Sequence, residues 1–271
     1  MGNTVSRRTL SVGQEHETLI ALEAVGYNER DAKEFIESPG HELAKIVVTT
    51  IRRRGIPLST DERVARAVMN QTRFWGTNHW TGLPYNASFT KQTLGKVANF
   101  PWSEDVLNSR CLLYPDKFVR DTHFAYLSLD VLNKKPVSLD ELHKLHSYEH
   151  PKIYKDWSDG AEFAKHTCVL RWHLALVGAV PGTKGLSYEA MCEHLPPEYE
   201  VPWAVDRAQA NLLYFPLNKV YLDKDLWVAC RDIFNGRRVI VGSYPANGVN
   251  VFSWNDLPYP GVGLAAERKS K

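Results

Sequence analysis

Long apolar runs are missing from this 271-residue sequence. The longest, Leu174 to Val180, has seven residues, far short of the roughly 20 that a membrane-spanning helix needs. Cysteine is scarce too. Cys111, Cys168, Cys192 and Cys230 are the only four, and no two of them have the C-x-x-C spacing of a zinc or redox site. No signal peptide is recognisable, so the expectation is a cytoplasmic protein with reduced thiols, in which the sequon Asn86-Ala87-Ser88 stays unglycosylated. Charge of one sign is also lacking. Thirty-three Lys+Arg against 31 Asp+Glu leave +2, which excludes an indiscriminate nucleic-acid binder. With 44% hydrophobic and 24% charged residues, the chain is neither collagen, coiled coil nor wholly disordered, and it carries no repeat or low-complexity segment.

Familiar catalytic signatures are absent as well. There is no G-x-S-x-G elbow to anchor a hydrolase triad. His41-Glu42-Leu43-Ala44-Lys45 fails H-E-x-x-H at its last place, and Gly182-Thr183-Lys184-Gly185 lacks both the Ser/Thr after Lys and the upstream glycine of a phosphate-binding loop. Met1-Gly2-Asn3-Thr4-Val5-Ser6 does fit the myristoylation pattern at Gly2. A pattern this short arises by chance, and one acyl chain binds membranes only marginally, so an unmodified Gly2 is expected.

What is present reads as an α+β fold. Three apolar stripes at helical spacing between residues 14 and 53 suggest an N-terminal three-helix subdomain, residues 1–55, separated from a main domain, residues 56–271. A fourth helix is expected over 61–74, opened by a Ser59/Glu62 capping box. Residues 123–129 read as a strand, and Ser138 with Glu141 opens a further helix. Residues 159–177 carry apolar side chains on most sides, which predicts one long buried helix as the centre of a helical body. Another helix is expected over 203–215, after Pro202. The C-terminal quarter then changes period: β-branched and aromatic runs joined at Asn235-Gly236 and near Asn247-Gly248 predict a three- to four-stranded antiparallel meander.

Two constellations carry functional readings. Between Arg52 and Lys96 eight cations stand against Asp61 and Glu62. Arg52, Arg53 and Arg54 open this segment; Arg63, Arg66, Asn70 and Arg73 fall on one helical face, and Trp75 and Trp80 follow. Guanidinium groups pair with phosphates and exposed indoles stack on bases, so these residues form a candidate nucleic-acid surface. A solvated helix face over an aromatic core is the plainer reading. The second constellation is His143, His146 and His150, at helical spacing near Glu141, Glu149 and Asp156; imidazoles with a carboxylate suit zinc or iron. His166 and His173 are expected on one face of the long helix. Without a recognised ligand motif, no cofactor is expected.

Residues 195–205, Val220-Tyr221-Leu222, Arg238–Gly242 and Leu264–Lys269, together with Trp172, Leu174, His143 and His146, give the last 150 residues or so their likeness. This part of the chain resembles a family of uncharacterised bacterial proteins. The resemblance implies a bacterial or mobile-element origin and brings no activity with it. The functional expectation is therefore a non-catalytic cytosolic binding protein that recognises nucleic acid or a protein partner, with a metal-dependent enzyme built on the histidines as the alternative.

Overall fold

The structure, a computed structural model, describes residues 28–37, 60–80, 87, 89–147, 151–155, 157, 160–244 and 248–270. The chain separates into two compact units, Met1–Gly55 and Ile56–Lys271. In the first, the described residues form helix α1 (Glu29–Glu37). Local chemistry starts it. Asn28 Oδ1 accepts the N–H groups of Arg30 and Asp31, and Asp31 Oδ2 accepts the Asn28 N–H at 3.0 Å, a reciprocal cap. Gly2, Arg52, Arg53, Arg54 and the other two helices expected here lie outside the described residues.

The second unit is a mixed α/β structure. Its principal strands are β1 (Phe74–Trp75), β2 (His123–Leu127), β3 (Ile153–Lys155), β4 (Trp172–Leu176), β5 (Tyr199–Glu200), β6 (Leu226–Phe234), β7 (Arg237–Tyr244), β8 (Gly248–Trp254), β9 (Val262–Leu264) and β10 (Glu267–Arg268). They form two five-stranded sheets, ordered β1-β2-β4-β10-β5 and β9-β6-β7-β8-β3. In the first sheet only β1 pairs parallel to its neighbour. In the second, β6, β7 and β8 run antiparallel, while the outer strands β9 and β3 pair parallel with β6 and β8. The expected C-terminal meander is thus the middle of a larger mixed sheet, and β10 belongs to the other one. Helices α2 (Thr60–Met69), α3 (Leu139–Leu145) and α4 (Ala204–Asn218) are the longest of this unit.

The expected helical body around residues 160–177 is overturned. Only Glu162–Lys165 is helical there, and Trp172–Leu176 is strand β4, paired with β2 and β10 and buried at every residue. A strand covered on both faces is apolar at every position, the same signature a buried helix leaves. The central helix is instead α4: Ala204 to Tyr214 are all buried, and the helix touches β2 of one sheet and β6, β7 and β8 of the other. Its interior position was hidden by Asp206, Arg207, Gln209 and Asn211, which read as surface residues but are buried.

The Asn235-Gly236 turn has φ of 51° and 74°, the left-handed pair a two-residue type I′ hairpin requires. Valine at position 236 would be forced into that region, so Gly236→Val is expected to cost about 1–3 kcal/mol. A urea melt of the variant that superimposes on the wild type would reject this turn geometry.

Candidate functional site

Among the described residues, those singled out for nucleic acid are not assembled as one face. Helix α2 stops at Met69, Asn70 takes a φ of 66°, and Arg73 ends a 3₁₀ turn that leads into β1. Arg73 therefore does not continue the helical phase of Arg63 and Arg66; its Nη1 reaches the His123 carbonyl at 3.5 Å. Arg63 and Asn70 are exposed and Arg66 is half-buried. Trp75 and Trp80 are 5% and 1% exposed, so neither indole offers a face to a base. Trp80 Nε1 donates to the Leu127 carbonyl at 2.7 Å, and Trp75 stacks on His79. Glu62, expected in a capping box, turns inward and accepts the N–H and hydroxyl of Thr77.

His143 and His146 are each bonded to a backbone carbonyl. His143 Nδ1 bonds the Ile153 carbonyl at 3.0 Å and His146 Nδ1 the Pro151 carbonyl at 2.7 Å, which ties α3 to the segment entering β3. His150 lies outside the described residues. Among the described residues no three His, Cys, Asp or Glu are grouped to hold a metal. His166 and His173 share no helix: one follows the short helix Glu162–Lys165, the other sits in β4. All four cysteines are free.

The densest polar constellation gathers instead at the N-terminus of α4. Trp203 occupies the cap position but supplies no capping bond. Buried Asp232, on β6, does so: its Oδ2 accepts the Ala204 N–H at 2.6 Å, while its Oδ1 accepts His166 Nδ1 at 2.6 Å. One carboxylate thus satisfies a helix-end donor and fixes an imidazole. That imidazole meets the Trp203 ring edge-on at 4.9 Å. Arg231, also on β6, stands with Cζ 5.0 Å from the Trp203 centroid. It is held there by Nε on the Val201 carbonyl and Nη2 on Glu200. Trp203 is 36% exposed, Val169 64% and Ile233 59%.

Beneath this surface lies a charged layer. Arg171 Nη2 donates to Glu267 Oε1 at 2.7 Å and lies 3.7 Å from Asp206, and its Nη1 lies 3.7 Å from Glu200. His173 Nδ1 is 2.7 Å from Glu267 Oε2, its Nε2 3.0 Å from Ser128 Oγ, and its ring is stacked on Tyr126 at 4.6 Å. Burial would raise the Glu267 carboxyl, but His173 and Arg171 outweigh it and hold it below the ordinary range. Burial raises Asp206, with Glu267 adding to the shift.

Ser128, His173 and Glu267 have the hydroxyl–imidazole–carboxylate connectivity of a hydrolase relay. Accessibility decides against that chemistry. Ser128 is 0% exposed, and its hydroxyl reaches the backbone carbonyls of Val169 and Arg171. Arg171 Nε points at His173 Nε2 at 3.3 Å, so Nε2 is engaged as an acceptor. The array braces β2, β4 and β10 together. The sequence left this site unread because its residues come from five separated segments. The local signal was a group of polar residues, Asp206, Arg207, Gln209 and Asn211, inside a helix otherwise apolar as far as Leu217.

Comparison with protein-family models, curated proteins and solved structures returned no match. Among the described residues, no helix is long and apolar enough to cross a membrane.

Proposed function

We propose that this chain is a non-catalytic binding protein of the bacterial cytoplasm, and that its partner is a protein segment docking on Trp203. The observation that carries this reading is the pre-formed Trp203 platform. An exposed indole is fixed by His166 and Arg231, both tied to buried or half-buried carboxylates, and Val169 and Ile233, close in sequence to these two residues, are exposed as well. Tryptophan and arginine held rigid are among the residues that dominate protein interfaces. A rigid aromatic also loses little conformational entropy on binding.

Nucleic acid fits this surface less well. Glu200, Asp206, Asp232 and Glu267 outnumber Arg171 and Arg231 in the same cluster, so the positive potential that draws a polyanion is missing. Short-range apolar contact is what the platform offers.

Panning a random peptide library on the full chain tests the proposal. Selected peptides should carry an apolar residue, and Trp203→Ala should weaken them at least about tenfold, an ordinary loss for an interface anchor. Ile233→Lys should weaken them as well. Peptides that bind Trp203→Ala unchanged would overturn the reading. So would oligonucleotide binding at 0.15 M salt that disappears when Arg63, Arg66 and Arg73 become Gln, as electrostatic binding requires.

A further inference from the structure

Away from the Trp203 surface, the chain leaving β4 makes a turn that opens a cavity of about 370 Å³, within the range of small-molecule sites. Tyr114, Gly178, Ala179, Pro181, Lys184 and Leu226 line it. Pro181 and Gly182 take the two central places of a Val180–Thr183 turn, with Gly182 at φ 76°. This is the type II arrangement that needs glycine third.

Part of the hydrogen-bonding capacity of this turn is unused. The Gly178 carbonyl accepts Arg207 Nη2 at 2.8 Å, the Ala179 carbonyl accepts the Tyr114 hydroxyl at 3.3 Å, and the Val180 carbonyl accepts the Thr183 hydroxyl at 2.6 Å. Among the described residues, the N–H groups of Ala179, Gly182 and Lys184 make no hydrogen bond. The three carbonyls that enter the turn are engaged, while these donors are left over beside the unbonded carbonyls of Pro181 and Gly182. Lys184 is exposed and adds an ammonium group to the lining. A second ammonium, that of Lys117, stands 5.2 Å from the centroid of the Tyr114 ring. Backbone N–H groups converging with a cation are how loops receive oxyanions.

We propose that this cavity binds a small metabolite through a phosphate or carboxylate group. Lys184 and the turn N–H groups receive the oxyanion, and Tyr114 and Leu226 cover the remainder of the molecule. The turn lacks the Lys-Ser/Thr pair and glycine spacing of a nucleotide phosphate loop, so the ligand is a small acid rather than a nucleoside triphosphate.

The test is a titration of the ¹⁵N-labelled full chain with phenyl phosphate, with benzoate, and with sodium chloride at matched ionic strength. The amides of Ala179, Gly182 and Lys184 should shift saturably with at least one organic acid. Tighter phenyl phosphate marks a phosphate site, tighter benzoate a carboxylate site. Lys184→Gln, on an exposed side chain, should weaken binding about tenfold, as loss of one charge-assisted bond does. Lys165→Gln removes the same charge elsewhere and should change nothing. The proposal is overturned if those amides respond equally to sodium chloride or do not saturate. Equal weakening by both lysine variants overturns it too.

Discussion

Asp223→Ala is expected to cost about 3–5 kcal/mol, the penalty for leaving one member of a buried ion pair alone. Arg207 and Asp223 are 1% and 0% exposed. Arg207 Nε donates to Asp223 Oδ2 at 2.9 Å and Nη2 bonds its Oδ1, while Nη1 reaches the Leu176 carbonyl at 2.8 Å. Asn211 completes the set: its Nδ2 donates to Asp223 Oδ2 at 2.7 Å and its Oδ1 accepts the Asp223 N–H at 3.0 Å. Burial raises the Asp223 carboxyl, and Arg207 opposes that shift. Alanine removes the one carboxylate paired with this guanidinium among the described residues.

Replacing both partners together, Arg207→Met with Asp223→Leu, should restore much of the loss, because no uncompensated charge remains. At about 2–4 °C per kcal/mol for a unit of this size, the single variant should melt on the order of 10 °C lower. A single variant as stable as the double would show that this pair is not what fastens α4 to the end of β4. The same guanidinium holds the Gly178 carbonyl, so Asp223→Ala should also loosen the turn that lines the proposed oxyanion cavity.

Local chemistry was legible in the sequence wherever a few adjacent residues decide the backbone. Asn235-Gly236 specified its turn, and Ser138 caps α3 by accepting the Glu141 N–H at 3.3 Å, because neither needs information from elsewhere in the chain. Strand β4 was misread since burial, not periodicity, set its composition. Its strand state depends on β2 and β10, whose residues are some fifty and ninety positions away in the pairings Leu174–Ala125 and Ala175–Glu267. The polar residues of α4 carry the opposite ambiguity. Arg207 looks solvent-facing until Asp223 and two carbonyls are brought to it. The Trp203 platform failed to register for a related reason: Asp232 joins His166 to the start of α4 only once β6 is in place. Spacing along one segment suggested neighbours, Arg73 with Arg63 and His166 with His173, that stand on different elements.

Acid should destabilise the second unit well before its carboxylates are neutralised. Two imidazoles, one buried and one half-buried, set the window. His123 is 0% exposed, and its pKa is lowered to about 3, first by burial, with Arg268, Arg73 and Arg207 adding to the shift against the Val119 carbonyl. Its Nε2 has no hydrogen-bond partner among the described residues. His79 is lowered to about 4 by burial and by Arg66, and its Nδ1 accepts the Gly76 N–H at 3.0 Å, which requires that nitrogen unprotonated.

Both groups titrate near 6.5 when unfolded, so below that pH the unfolded chain binds protons that the folded chain refuses. Stability is therefore full above about 6.5 and falls as pH drops towards 4 and then 3, by about 1.4 kcal/mol per pH unit for each imidazole. From pH 7 to pH 4 the two together remove on the order of 5 kcal/mol. Raised carboxyls such as Asp206 act in the opposite direction, which makes a difference measurement the decisive one. His123→Phe keeps a ring of similar size and deletes one titrating group. Urea melts of both proteins between pH 6 and pH 4.5 should give a wild-type slope steeper by about 1.4 kcal/mol per pH unit. Parallel slopes would mean that His123 takes up its proton in the folded state, and that water reaches the buried end of β2.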